Sequence, residues 1–123
     1  MITITRRYRF EAAHRIPEHE KCGKPHGHSY TLQVEVSGPL RLDGMIIDFK
    51  RLDDMVRPII AKYDHDYLNK YFDIPTVENV VRTIAYLLRD ALERSELTLR
   101  KVVLKETKDS WATLYVEGGN DEV

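Results

Sequence analysis

Polar and apolar positions alternate over residues 1–13. Ile2, Ile4, Tyr8, Phe10 and Ala12 take even positions, with Arg6 the exception, and Thr3, Thr5, Arg7, Arg9 and Glu11 take odd ones. A period of two marks a strand with one buried face. Residues 29–37 repeat it: Tyr30, Leu32, Val34 and Val36 lie on one face, and Gly38-Pro39 ends the run. From Phe49 the period changes. Phe49, Leu52, Met55, Val56, Ile59, Ile60 and Tyr63 recur at steps of three and one, which predicts an amphipathic helix over 49–63 with Asp48 as its N-cap. Pro58 lies inside it and predicts a kink or a lost hydrogen bond. A second helix starts at Thr76, after Pro75. Its apolar stripe runs from Val77 through Val81, Ile84 and Leu88 to Leu92, and Glu78 suits the dipole of its first turn. Residues 99–107 and 111–116 read as two more strands, joined by Lys108-Asp109-Ser110.

The element order is therefore β-β-α-α-β-β. It predicts an α+β domain, a four-stranded antiparallel sheet with both helices on one face. Such a sheet has two edges in need of protection, and pairing with another subunit is one way to provide it. No linker divides the chain, so residues 1–117 read as one domain and residues 118–123, which begin Gly118-Gly119, as a C-terminal tail. A chain of 123 residues is long enough to bury about two thirds of its unfolded surface.

Charge narrows the partners. Lys and Arg number 19 and Asp and Glu 20, for a net charge of −1, so the basic excess of a nucleic-acid module is missing. No apolar run approaches the roughly 18 residues of a membrane span, and the first ten residues lack the apolar stretch of a signal peptide. Cys22 is the single cysteine, so no intrachain disulfide forms and a reducing cytoplasmic setting is the default expectation.

Three histidines extend the apolar faces of the first two strands. His14 continues the even face of the first, and His26 and His28 that of the second, with Gly27 removing bulk between them. If neither strand bulges, the three rings project to one side of the sheet. Three neutral imidazoles are the protein ligands of a metal site that keeps a position open, and zinc is the usual occupant. Jelly-roll metal sites also use His-x-His, but carry Glu four or five residues further on; those positions here are Leu32 and Gln33. Cys22, four residues before His26 and flanked by Lys21 and Lys24, is either a surface thiol or a base or nucleophile whose thiolate the lysines favour. Asp64-His65, with Asp66 beyond, follows the first helix and reads equally as a proton relay or as a solvated helix end. Glu106 shares the parity of Val102 and Leu104, so a carboxylate ends an apolar face. It needs a partner there, either a cation or the N–H edge of a planar heterocycle.

In order along the chain stand Phe10-Glu11-Ala12-Ala13-His14, Cys22-Gly23-Lys24-Pro25-His26-Gly27-His28, Ile47-Asp48-Phe49, Asp64-His65-Asp66-Tyr67-Leu68-Asn69, Pro75-Thr76-Val77-Glu78-Asn79 and Lys105-Glu106-Thr107. Together they resemble the 6-pyruvoyl-tetrahydropterin synthase family, a branch of the tunnelling fold. The three-residue gap between Cys22 and His26 is similar to its 6-carboxy-5,6,7,8-tetrahydropterin synthase branch, which belongs to queuosine biosynthesis. The resemblance implies a zinc-dependent lyase that converts 7,8-dihydroneopterin triphosphate to 6-carboxytetrahydropterin, acetaldehyde and triphosphate. It implies Zn²⁺ on His14, His26 and His28, Cys22 as proton acceptor, and Asp64 with His65 as the relay, contributed from a neighbouring subunit. Glu106 is then the anchor of the pterin ring. A homohexamer of two stacked trimers, with sites between subunits, is implied as well. No motif assigns the triphosphate contacts, for which Lys21, Lys24 and Arg15 are available. Two alternatives stand beside this reading. One is the pyruvoyl-forming synthase, which eliminates triphosphate without losing carbon, and the other is a non-catalytic, zinc-stabilised pterin-binding oligomer.

Overall fold

The first two strands pair antiparallel without a break in register. In the computed structural model, which describes residues 1–116, β1 (Ile4–His14) lies against β2 (His26–Ser37) from Ile4 opposite Val36 to His14 opposite His26. The expected end of the domain at residue 117 and the tail over residues 118–123 lie outside the described residues. The chain continues through α1 (Phe49–Ala61), β3 (Asp66–Tyr67), a single 3₁₀ turn (Leu68–Lys70), α2 (Val77–Glu93), β4 (Thr98–Thr107) and β5 (Ser110–Tyr115).

The class is α+β as expected, but the sheet has five strands in the order β3-β1-β2-β4-β5, not four. The chain order is correspondingly β-β-α-β-α-β-β. The added strand, β3, pairs parallel to the end of β1, Ala12 with Asp66 and Ala13 with Tyr67. Two residues are too few to establish a hydrophobic period, so nothing in the polar pattern announces β3. The remaining pairs are antiparallel.

Even positions of β1 and β2 form the floor of the core. Tyr8, Phe10, Tyr30, Leu32 and Val34 are buried there, with Phe10 and Tyr30 stacked at 5.0 Å. Leu52, Val56 and Ile60 of α1 and Val80, Ile84 and Leu88 of α2 join the same core. Asp48 caps α1 by accepting from the Lys50 N–H at 2.9 Å, and Thr76 caps α2 by accepting from the Asn79 N–H at 3.2 Å. The first helix ends two residues earlier than its periodicity suggests, although Tyr63 remains in the core. It runs unbroken through Pro58. What proline costs there is one backbone bond, to the Asp54 carbonyl, on a face where both residues are exposed to solvent.

Arg6, the polar exception on the inner face of β1, has a partner in α1. Its Nε and Nη2 each donate to Asp53 at 3.1 Å, and the Tyr8 hydroxyl donates to the same carboxylate at 2.8 Å. The Arg6 bonds hold the Asp53 carboxyl below its usual range against the opposing effect of burial, with Tyr8 adding to the shift. Burial, and then Asp53, push the Tyr8 hydroxyl up. Tyr8→Phe keeps the ring and deletes one donor to a charged acceptor, so we expect a loss of about 1–2 kcal/mol in unfolding free energy by urea titration. An unchanged midpoint would remove this hydroxyl from the contacts that hold α1 to the sheet.

Candidate metal centre and active site

The β1–β2 register that builds the core also assembles the histidines. His14 faces His26 across the ladder, and His28 sits opposite Ala12, one same-face position further along. The three ring centroids are 4.7–5.0 Å apart, and one nitrogen from each ring lies within 4.8 Å of the others. His14 is the most enclosed, with 1% of its surface exposed.

Hydrogen bonds behind the rings fix which nitrogens face inward. His14 Nδ1 lies 2.9 Å from the Pro75 carbonyl and His26 Nδ1 lies 2.8 Å from the Lys24 carbonyl. A carbonyl only accepts, so both Nδ1 atoms carry a proton, and in the neutral form of each ring the Nε2 atom presents a bare lone pair. Those two Nε2 atoms are 3.1 Å apart. Two bare acceptors at that distance repel unless a cation lies against both. His28 Nε2 is buried without a hydrogen-bond partner. Burial holds the His28 ring below the usual imidazole range; Glu106 opposes that shift and the two neighbouring histidines add to it. That shift favours the neutral, ligating form of His28. Three imidazoles, two of them with oriented outer nitrogens, fit a divalent metal ion, and the orphaned Nε2 of His28 is what such an ion satisfies. The Tyr30 hydroxyl, 3.3 Å from His14 Nδ1, closes the back of the site.

Glu106 reaches the same point from β4. Lys105 pairs with Trp111 and Thr107 with Ser110, so Glu106 is the extra residue of a β-bulge, a feature that re-aims a side chain. Its Oε1 lies 3.3 Å from His14 Nε2 and 3.6 Å from His28 Nε2. The parity argument places this carboxylate on the inner face; the bulge and the contact with the histidines are visible only in three dimensions.

Cys22 sits on the loop between β1 and β2 and is partly exposed. Its backbone is held from both sides. Its N–H donates to His19 Nδ1 at 2.9 Å, and its carbonyl accepts from the Ile16 N–H at 2.7 Å. Gly23 is required beside it, because a Cβ there would overlap the His19 carbonyl oxygen. Arg15, a candidate phosphate contact, donates its Nε to the Gly23 carbonyl at 2.9 Å, while its backbone is bonded to the Asn69 side chain. It therefore helps to fasten the loop. Lys21 and Lys24 are exposed.

Asp64 and His65 pair with each other, His65 Nδ1 lying 2.9 Å from Asp64 Oδ1. Asp64 accepts the Glu11 N–H at 2.9 Å, and the His65 N–H donates to the Glu11 carbonyl, so the pair is fastened to the edge of β1. His65 has φ of 59° and its side chain is 78% exposed. With Glu11 and His28 it lines an open hollow of 430 Å³. Within one chain the structure thus brings His14, His26, His28 and Glu106 into contact, and holds Cys22 and the Asp64–His65 pair as separate clusters around them. His19, Tyr30 and the Pro75 carbonyl belong to these clusters too. Their contacts depend on loop geometry or on pairing distant in sequence, which spacing alone does not reveal.

The sequence model of the family described as 6-pyruvoyl tetrahydropterin synthase matches residues 3–117. The chain belongs to the 6-pyruvoyl tetrahydropterin synthase family. Among relatives, a protein of Archaeoglobus fulgidus named putative 6-carboxy-5,6,7,8-tetrahydropterin synthase is 42% identical over 105 residues, 85% of this chain and 88% of its own length. The dihydroneopterin monophosphate aldolase of Pyrococcus furiosus is 34% identical, over 84% of this chain and 88% of its own. The 6-pyruvoyl tetrahydropterin synthase of Caenorhabditis elegans superposes with a TM-score of 0.82 at 26% identity, over 94% of this chain and 96% of that one. The tunnelling fold is thereby established for the family member described here.

The Asp64 carboxyl is held below its usual range, chiefly by the Glu11 N–H and also by His65, against a smaller effect of burial. A depressed carboxylate stabilises the fold fully above its unfolded value of about 3.9 and loses that contribution as pH falls through the folded value. An NMR titration of Asp64 should therefore show a midpoint below about 3.9. A midpoint at or above that value would mean that the Glu11 bond does not form in solution.

Proposed function

We propose that the chain is a zinc-dependent lyase that converts 7,8-dihydroneopterin triphosphate to 6-carboxy-5,6,7,8-tetrahydropterin, acetaldehyde and triphosphate, the reaction of the queuosine-pathway branch. The observation that carries it is the convergence of the His14, His26 and His28 nitrogens with Glu106 and the open hollow nearby. The names of several relatives support the branch, including 6-carboxy-5,6,7,8-tetrahydropterin synthases of Haemophilus influenzae and Bacillus subtilis. The three-residue gap from Cys22 to His26 supports it independently.

His14, His26 and His28 would hold Zn²⁺, which supplies Lewis acidity toward the side-chain hydroxyls of the substrate. The remaining work falls to the chain. Glu106 accepts the ring N–H groups and sets the pterin against the histidines. Cys22, on its clamped loop, takes the proton from the side chain of the substrate as thiolate. Asp64 orients His65 through the 2.9 Å contact, and His65 passes on the proton. A homohexamer of two stacked trimers accounts for the exposure of His65, because the relay of one subunit then serves the Cys22 of another. It also covers the outer edges of β3 and β5. Among the described residues no helix is long and apolar enough to cross a membrane.

The Pyrococcus furiosus relative favours a second reading, an aldolase acting on the monophosphate. Product analysis separates the possibilities. Incubation with 7,8-dihydroneopterin triphosphate should release acetaldehyde and free triphosphate. Triphosphate with no carbon lost would identify the pyruvoyl-forming reaction. An aldolase would use the monophosphate and leave phosphate on the aldehyde fragment.

Two variants test the assignments. His28→Ala should lose most of roughly one bound zinc per chain, measured by elemental analysis; full occupancy would exclude His28 as a ligand. Cys22→Ala should abolish turnover while zinc content and pterin binding stay near wild type. Near-native turnover in Cys22→Ala would pass the role of base to another group.

A further inference from the structure

We infer that Glu106 is a fourth ligand of the metal centre while no pterin is bound, and that the arriving pterin ring draws it away. The inference rests on reading the three imidazoles as a metal centre. Glu106 Oε1 lies 3.3 Å from His14 Nε2 and 3.6 Å from His28 Nε2, and His14 Nε2 lies 3.1 Å from His26 Nε2. The ring protons of His14 and His26 are committed to the Pro75 and Lys24 carbonyls. At the point of convergence, then, stand two bare imidazole nitrogens, a third nitrogen without a hydrogen-bond partner, and a carboxylate oxygen. With the rings neutral these four groups repel one another and a cation reconciles them; three imidazole nitrogens with one carboxylate oxygen are a zinc donor set. The bulge in β4 directs Glu106 there.

The same carboxylate has a competing use. A heterocycle offering two N–H groups occupies both oxygens, and an oxygen so engaged is a poorer ligand. Seating the ring and releasing the carboxylate are then one event. The coordination position opens only when the ring is in place, so that the side-chain hydroxyls of the correct substrate meet a vacant position and unrelated hydroxyl compounds meet a closed one.

Cobalt substitution tests this apart from turnover. The visible absorption of the Co²⁺ protein should differ between wild type and Glu106→Gln, and the zinc affinity of the variant should fall at least about tenfold. Glu106→Asp keeps the charge and shortens the reach; it should give the Glu106→Gln spectrum. The probe 6-methylpterin has ring N–H donors but no side-chain hydroxyls to replace the carboxylate. Bound, as followed by its fluorescence, it should shift the wild-type spectrum toward that of Glu106→Gln. Wild-type spectra and zinc affinity in both variants would overturn the ligand role, and so would a Glu106→Asp protein that matches wild type, since charge alone would then explain Glu106→Gln. An unmoved wild-type spectrum with the pterin bound would overturn the exchange. His28→Ala run in parallel separates the two readings: wild-type zinc affinity there would defeat the metal centre itself, whereas lost affinity there with no effect at Glu106 defeats only the fourth ligand.

Discussion

The register between β1 and β2 is the constraint on which both the core and the site depend. Side chains alternate across a strand, so a slip of β1 by one residue would carry Tyr8 and Phe10 out of the core and turn His14 away from His26 and His28. The stacked pair Phe10 and Tyr30 resists that slip beside the site itself, two same-face positions from the His14–His26 pair. The energy that sets the register is therefore hydrophobic, spread over the whole ladder, while its consequence is chemical and concentrated at one end.

That end gathers polar groups rather than apolar ones. The Nε2 atoms of His14 and His26 face each other across 3.1 Å, and a carboxylate stands close by. A well-packed scaffold tolerates such a cluster because the outward nitrogens are anchored, one to the Pro75 carbonyl just before α2 and one to the Lys24 carbonyl in the loop. A buried polar atom left without a partner, as His28 Nε2 is, is a common mark of functional sites.

Much of this was legible in the sequence, for identifiable reasons. Long elements with a stable period, β1, β2, α1 and α2, declare themselves because burial repeats every second residue or every third and fourth. The inward direction of His14, His26, His28 and Glu106 follows from the same parity. What stayed hidden lacks a period or depends on contact at a distance. Strand β3 is two residues long and exists only because Ala12 and Ala13 offer it an edge. The bulge leaves Glu106 without a partner across from it on β5, and no residue type there announces it. Arg6 looks like an error in the pattern until Asp53, 47 residues away, is brought against it. The hold of His19 on the Cys22 backbone is local in sequence, yet no polar pattern encodes it.

The histidines and the cysteine are fixed by different means. The former stand on a hydrogen-bonded ladder, whereas Cys22 stands on a loop outside it, whose return to β2 is held by Arg15 on the Gly23 carbonyl and by His26 on the Lys24 carbonyl. No rung of the β1–β2 ladder involves residues 16–23. A change of length or side chain within that loop therefore meets no ladder hydrogen bond, so the placement of Cys22 can vary while the histidines stay where the two strands put them.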